Sequence, residues 1–223
     1  MSLEISGLGS RLLSTSPPLL PWPDAAQAYL VLGWATVLAA GLGWLLRRQS
    51  RVTRGWACAG MVVWALWPGP GSPVYWLGLA FQAPSLVAVG WCGLMLSLGL
   101  RAAPPSWAPD PVQRRALGWL AAVAVAWGWV LMLDTFAVWP LSLYALGFSP
   151  TVMGLMAVVA SLPWCFGGKP LRAISWALYG VLAVQVLTRW PDGNLWNALL
   201  DPWLWLGLQV WGLGRWLRHR RAA

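Results

Sequence analysis

Charged side chains are scarce in this chain. They make up 9% of its 223 residues, whereas 59% of the residues are hydrophobic. An ordinary soluble domain carries about 25% charged residues. A soluble fold of this size cannot bury so much apolar surface, so the composition excludes a soluble globular domain. It predicts a membrane protein whose apolar surface is covered by lipid.

Histidine and cysteine are nearly missing. The chain contains one histidine, His219, and three cysteines, Cys58, Cys92 and Cys165, without CxxC spacing. A single histidine cannot supply bis-His haem ligation or a His-rich metal site. A Ser-His-Asp triad cannot be assembled within the membrane either. We therefore predict no metal site, no catalytic residues and no disulfide framework, and the sequence leaves any bound cofactor unknown.

The basic side chains that are present fall into four clusters, which contain thirteen of the fifteen Lys and Arg residues. The clusters are Arg47, Arg48, Arg51 and Arg54; Arg101, Arg114 and Arg115; Lys169 and Arg172; and Arg215, Arg218, Arg220 and Arg221. Five of the six acidic residues lie outside these clusters, two before the first cluster and three between later ones. The positive-inside rule explains this alternation. The net charge of +9 therefore reports membrane topology, and we predict no nucleic-acid partner.

Hydrophobic runs separate the clusters. A hydrocarbon core about 30 Å thick needs about 20 helical residues to cross it. We predict an all-α polytopic integral membrane bundle of about seven transmembrane helices, with the N-terminus outside and the C-terminus cytoplasmic. The predicted spans are residues 25–46, 55–67, 74–100, 116–133, 144–166, 171–187 and 202–217. Residues 55–67 are short, so a bundle of five or six spans is the alternative.

Several breaks organise these spans. Pro84 is expected to divide residues 74–100 into an interfacial piece and a spanning piece. Residues 167–169 are expected to close the fifth span, and Pro170 to stand at the start of the sixth. Asp24 and Asp201 stand in helix N-cap positions. Residues 1–24 are interpreted as an outer tail or interfacial segment, 25–217 as a single transmembrane domain and 218–223 as a basic cytoplasmic tail. A bacterial inner (cytoplasmic) membrane is the expected location.

Asp134 is the most conspicuous ionisable residue, because it is the only formal charge in residues 117–148. Ionisable groups at membrane depth are costly and tend to be functional. However, Asp134 directly follows the predicted span that begins at Ala116, so it is expected at the outer interface. There a carboxylate can stay hydrated or cap the next short helix. We favour this structural role. Transfer of a proton or cation and contact with a partner are the alternatives.

Other polar side chains are expected near the same outer face. The predicted outer polar cluster consists of Asp134, Gln82, Gln185, Asn194, Asn197 and Asp201. Interhelical hydrogen bonding is the simplest role for such groups in a membrane protein. A shallow outward-facing pocket is the alternative.

Two function classes follow from these features. The first is a non-catalytic integral membrane subunit, or an assembly or scaffold factor, of a larger membrane protein complex. Its partners would be the lipid bilayer and other membrane subunits, and the 21 Trp residues would supply aromatic surface for partner helices. The alternative is a small-molecule or ion transporter or channel with an outward-facing pocket near Asp134. An enzyme is less favoured, because one histidine and no paired carboxylates leave little for acid–base chemistry.

Overall fold

The computed structural model describes residues 20–100, 111–138 and 142–222, except for the side chains at 166–170, 219, 221 and 222. Every regular element in these ranges is helical. The α-helices are α1 Pro23–Leu45, α2 Arg51–Ala65, α3 Pro73–Phe81, α4 Leu86–Leu100, α5 Pro111–Thr135, α6 Pro150–Thr188, α7 Leu195–Leu199 and α8 Pro202–Ala222. A 3-10 turn at Ala145–Phe148 precedes α6. The predicted all-α class is confirmed.

The helical segment α6 folds back on itself. It consists of two antiparallel helical arms, Pro150–Cys165 and Leu171–Thr188. The Ser161 and Tyr179 hydroxyl oxygens lie 2.8 Å apart, although 18 residues separate them. In a straight helix that separation would span about 27 Å. The chain therefore reverses between Cys165 and Leu171, where the sequence predicts the end of one span and the start of the next.

Within the described ranges, three helical segments are long and apolar enough to cross a membrane: α1, α5 and the second arm of α6. Helix α4 and the first arm of α6 are apolar but shorter. This is consistent with a membrane protein. Helices α2 and α8, which were also predicted as spans, belong to neither group. Helix α8 continues to Ala222, through most of the segment interpreted as a tail.

Two predicted N-caps have different outcomes. Asp24 does not cap α1. The helix begins at Pro23, the residue before Asp24, so Asp24 lies in its first turn. The fixed φ of proline suits this first helical position. Asp201 does cap α8, since its Oδ1 accepts a hydrogen bond from the Leu204 N–H at 2.7 Å. Helix α5 also starts earlier than predicted, at Pro111.

Pro84 lies in the predicted break, between α3 and α4, and α1 holds this break in place. The Tyr29 hydroxyl donates to the Pro84 carbonyl at 2.7 Å, and Trp34 Nε1 donates to the Gln82 carbonyl at 2.6 Å. A Cβ on Gly33 would lie only 2.9 Å from Pro84 Cγ, so a glycine lets α1 approach the break closely. The break is thus buried against the first helix.

The two halves of the chain meet at this break. Tyr29, Leu86 and Ala198 form one buried apolar cluster that joins α1 and α4 to α7. The Tyr29 ring also stacks on Trp190, with the ring centroids 4.8 Å apart. The segment that follows α6 therefore packs on the N-terminal helices.

Candidate functional site

The connection between α6 and α8, residues 189–201, is the most enclosed part of the described chain. It is called the inner connection below because it is buried within the protein; the name does not refer to a side of the membrane. Leu195, Asn194 and Ala198 are fully buried. This burial is unexpected for a segment that contributes Asn194, Asn197 and Asp201 to the predicted outer polar cluster. It means that the polar groups of the inner connection must find partners within the protein.

Asn194 joins the inner connection to the segment before α6. Its side-chain Nδ2 donates to the Tyr144 carbonyl at 3.0 Å, and its Oδ1 accepts from the Trp196 N–H at 2.9 Å. The Trp196 indole N–H donates to the Leu143 carbonyl at 3.0 Å. Gly147 permits this contact, because a Cβ there would collide with Asn194 Oδ1 and lie 2.6 Å from Trp196 Cδ1. Asn194 is therefore a structural anchor.

Asn197 bridges an acid and a phenol. Its Nδ2 donates to the Tyr144 hydroxyl at 2.6 Å and also contacts Asp192 Oδ2. Asp192 Oδ1 accepts from the Asn194 N–H at 3.0 Å. Partial burial raises the pKa of the Asp192 carboxyl, and the hydrogen bonds from Asn197 and the backbone oppose that increase. These contacts tie the start of the inner connection to Tyr144.

Gln185 lies at the end of α6 and is fully buried. Its Nε2 donates to the Gly193 carbonyl at 3.0 Å, which fixes the orientation of the amide. Its Oε1 is buried and has no hydrogen-bond partner among the residues that the structure describes. Gln185 therefore supports the inner connection through its nitrogen only.

Asp201 connects the two halves of the chain. Besides capping α8 through Oδ1, its Oδ2 accepts from the Ser85 N–H at 2.6 Å, at the start of α4. Asp201 is 6% exposed, so this carboxylate replaces water with two backbone donors. Hydrogen bonds to an ionised carboxylate are stronger than neutral ones. The residue is a link between α4 and α8.

Asp134 lies near this network, whereas Gln82 does not belong to it. Asp134 Oδ2 accepts from the Tyr144 N–H at 2.8 Å, directly before the 3-10 turn. The carboxylate thus joins the end of α5 to Tyr144, and it does not form a side-chain cap on the 3-10 turn. Gln82 is exposed and lies at the C-terminal end of α3. The helix ends there because the backbone φ of Gln82 is positive, at 59°.

Of the six predicted cluster residues, Asn194, Asn197 and Asp201 belong to the inner connection. Gln185 bonds to it at Gly193, and Asp134 bonds to Tyr144, which also bonds to Asn194. Sequence reasoning missed Tyr144, Ser85 and Gly147, which supply their main partners. Ser85 acts through its backbone N–H, and Tyr144 acts through its backbone groups and its hydroxyl. Backbone groups carry no residue-specific signal. Gly147 matters because of a neighbour 47 residues away, so no local pattern could have identified it.

The chemistry available to this cluster is limited. Apart from Gln82, each of these side chains forms at least one hydrogen bond within the described chain. In the described part of the chain, no group of three or more His, Cys, Asp or Glu side chains could hold a metal ion. A comparison with protein-family models, curated proteins and solved structures found no match.

Proposed function

We propose that the chain is a non-catalytic subunit or assembly scaffold of a larger membrane protein complex. In this proposal it crosses a bacterial inner membrane about seven times, with the N-terminus outside and the C-terminus in the cytoplasm. The observation that carries the proposal is the internal pairing of the polar cluster. Asp134 and Asp201, the acids expected to line a transport pocket, accept hydrogen bonds from backbone N–H groups.

This pairing separates the proposal from the transporter alternative. A transport site must exchange its hydrogen bonds with a substrate, and broken helices supply free backbone groups for that purpose in many transporters. Here the break between α3 and α4 is already occupied, because Asp201 accepts from Ser85 and Tyr29 donates to Pro84. The polar groups therefore stabilise the fold.

Helix α5 offers the surface that a scaffold needs. None of its residues is buried, although it is 25 residues long and apolar enough to cross a membrane. One exposed face carries Trp119, Ala122, Val123, Ala126 and Trp129. Small residues four apart allow close approach of a second transmembrane helix. A partner helix lying between the two tryptophans would bury this face.

Ala126→Leu tests this role of α5. The larger side chain should hold a partner helix away, so we expect a several-fold loss of co-purifying subunits after gentle detergent extraction. The folded yield of the chain itself should not change. Gly207→Leu is the matched control, because it adds similar bulk at an open, exposed position of α8.

The measurement is the size and protein composition of the extracted particle. Recovery of a monodisperse lone chain from wild-type membranes would contradict the proposal. So would a membrane-potential-dependent flux that Asp134→Asn abolishes without lowering the yield. That second result would establish the transporter alternative.

The proposed topology has its own test. Reporter fusions near Arg51, Lys169 and Arg221 should report the cytoplasm, and fusions near Gly71 and Gly193 should report the outside. Finding Arg51 and Gly71 on the same side would remove the hairpin of the second and third spans. The seven-span count would then be wrong.

A further inference from the structure

A groove runs between the two arms of α6 at the end next to the inner connection. Its volume is about 380 Å³, within the usual range for ligand sites. It is lined by Met153, Gly154, Ala157, Tyr179, Leu182, Ala183, Gln185, Val186 and Leu195. Small residues on both arms leave this space open. A Cβ atom at Gly154 would contact no other residue. Most of the lining is apolar, as an alkyl chain requires.

A cation lies at one end of this groove. The guanidinium Nη1 of Arg189 is 3.5 Å from Sδ of Met153, which lines the groove. The left-handed φ of 60° at Arg189 ends α6 at this point. Among residues 20–100, 111–138 and 142–222, no carboxylate forms an ion pair with this guanidinium. Its positive charge is therefore available to an anion.

The polar end of the groove is confined to one place. Gln185, with its unpaired and buried Oε1, lies one helical turn before Arg189. The groove residue Tyr179 lies on the same arm, about 10 Å from Gln185 along the helix axis. One end thus carries a cation and an amide. The rest of the lining is apolar except for the Tyr179 hydroxyl, which is paired with the Ser161 hydroxyl. This arrangement matches a molecule with an anionic head and an alkyl chain.

We propose that this groove binds an anionic phospholipid, with the phosphate at Arg189 and one acyl chain between the arms of α6. The groove lies in a chain that lipid must surround, so lipid is the occupant at hand. Arg is suited to phosphate because its planar guanidinium can donate two parallel hydrogen bonds. Thirteen of the other fourteen basic residues lie in the four clusters, so Arg189 is a separate anion site.

The test is native mass spectrometry of the detergent-purified full chain, titrated with phosphatidylglycerol or phosphatidylcholine of identical acyl chains. The wild-type chain should retain phosphatidylglycerol preferentially, and higher salt should weaken that preference. Arg189→Gln should reduce it about tenfold, and Arg189→Lys should keep part of it. Gly154→Leu should fill the groove and reduce retention of both lipids.

Gly180→Leu is the matched control, because it adds the same side chain on α6 at an open position outside the groove. It should leave lipid retention unchanged. A melting temperature for each variant establishes that the protein is folded, and the salt dependence of the wild type needs no variant. Equal retention of the two lipids by the wild type would overturn the proposal. So would an unchanged preference in Arg189→Gln, or equal losses in Gly154→Leu and Gly180→Leu.

Discussion

The inner connection and helix α5 reverse the usual relation between polarity and burial. The inner connection carries two Asp and two Asn residues and is largely buried. Helix α5 consists mainly of Ala, Val, Leu and Trp and has no buried residue. In water the hydrophobic effect would favour the opposite arrangement. In a bilayer, lipid can cover apolar side chains, whereas backbone polar groups must be paired within the protein.

This difference predicts where substitutions will be costly. Changes in the inner connection or its partners should destabilise the protein, because they leave buried polar groups unpaired or displace close contacts. Changes on the exposed face of α5 should affect assembly and leave the folded chain intact.

Gly147→Ala should have the largest effect. Its added methyl group would collide with Asn194 Oδ1 and Trp196, both of which are held by hydrogen bonds. Overpacking in a tight site costs about 1–3 kcal/mol, and we expect the upper end here. The melting temperature in detergent should fall well below that of Gly154→Ala, which adds the same group in open space. Equal stability of the two variants would contradict the close approach of the two segments.

Asp201→Asn should have the next largest effect. The carboxylate accepts two backbone N–H groups with its two oxygens, whereas an amide offers one oxygen and turns an N–H group toward the other donor. Leaving a buried donor unpaired costs about 1–3 kcal/mol. Thermal unfolding of Asp201→Asn, compared with wild type, measures this loss. A neutral result would mean that Asp201 does not link α4 to α8.

Asp134 should tolerate the same substitution. Only its Oδ2 has a described hydrogen-bond partner, the Tyr144 N–H, and an amide oxygen can accept that bond. Asp134→Asn should therefore be near wild type in yield. Asp134→Ala removes the acceptor and should cost roughly 0.5–2 kcal/mol, as loss of a cap does. If Asn is as harmful as Ala, the negative charge itself is required.

Val123→Ala on α5 should have the smallest effect on stability. Its side chain is 64% exposed, so truncation removes few contacts within the chain. The expected change in unfolding free energy is within about 0.5 kcal/mol. Thermal unfolding of the chain separated from other proteins measures it. A loss comparable to that of Asp201→Asn would show that α5 is packed within the chain.

The sequence predicted the all-α class, the break at Pro84 and the cap at Asp201. Each rests on a local property: a long apolar run, a residue without an N–H donor, or a carboxylate before a helix. The N-cap assigned to Asp24 was wrong, because the neighbouring Pro23 begins the helix instead. That competition is also local, but two residues suited the same helix start.

The sequence by itself indicated a helical protein suited to a membrane, because long apolar runs with few charges favour helices that pair their own backbone groups. The tertiary structure alone decided which polar groups pair. Ser85 meets Asp201 across 116 residues, and Tyr144 meets Asn194 across 50. Such partners depend on the packing of helices distant in sequence. Hydrophobic periodicity does not encode that packing, because lipid allows every face of a helix to be apolar.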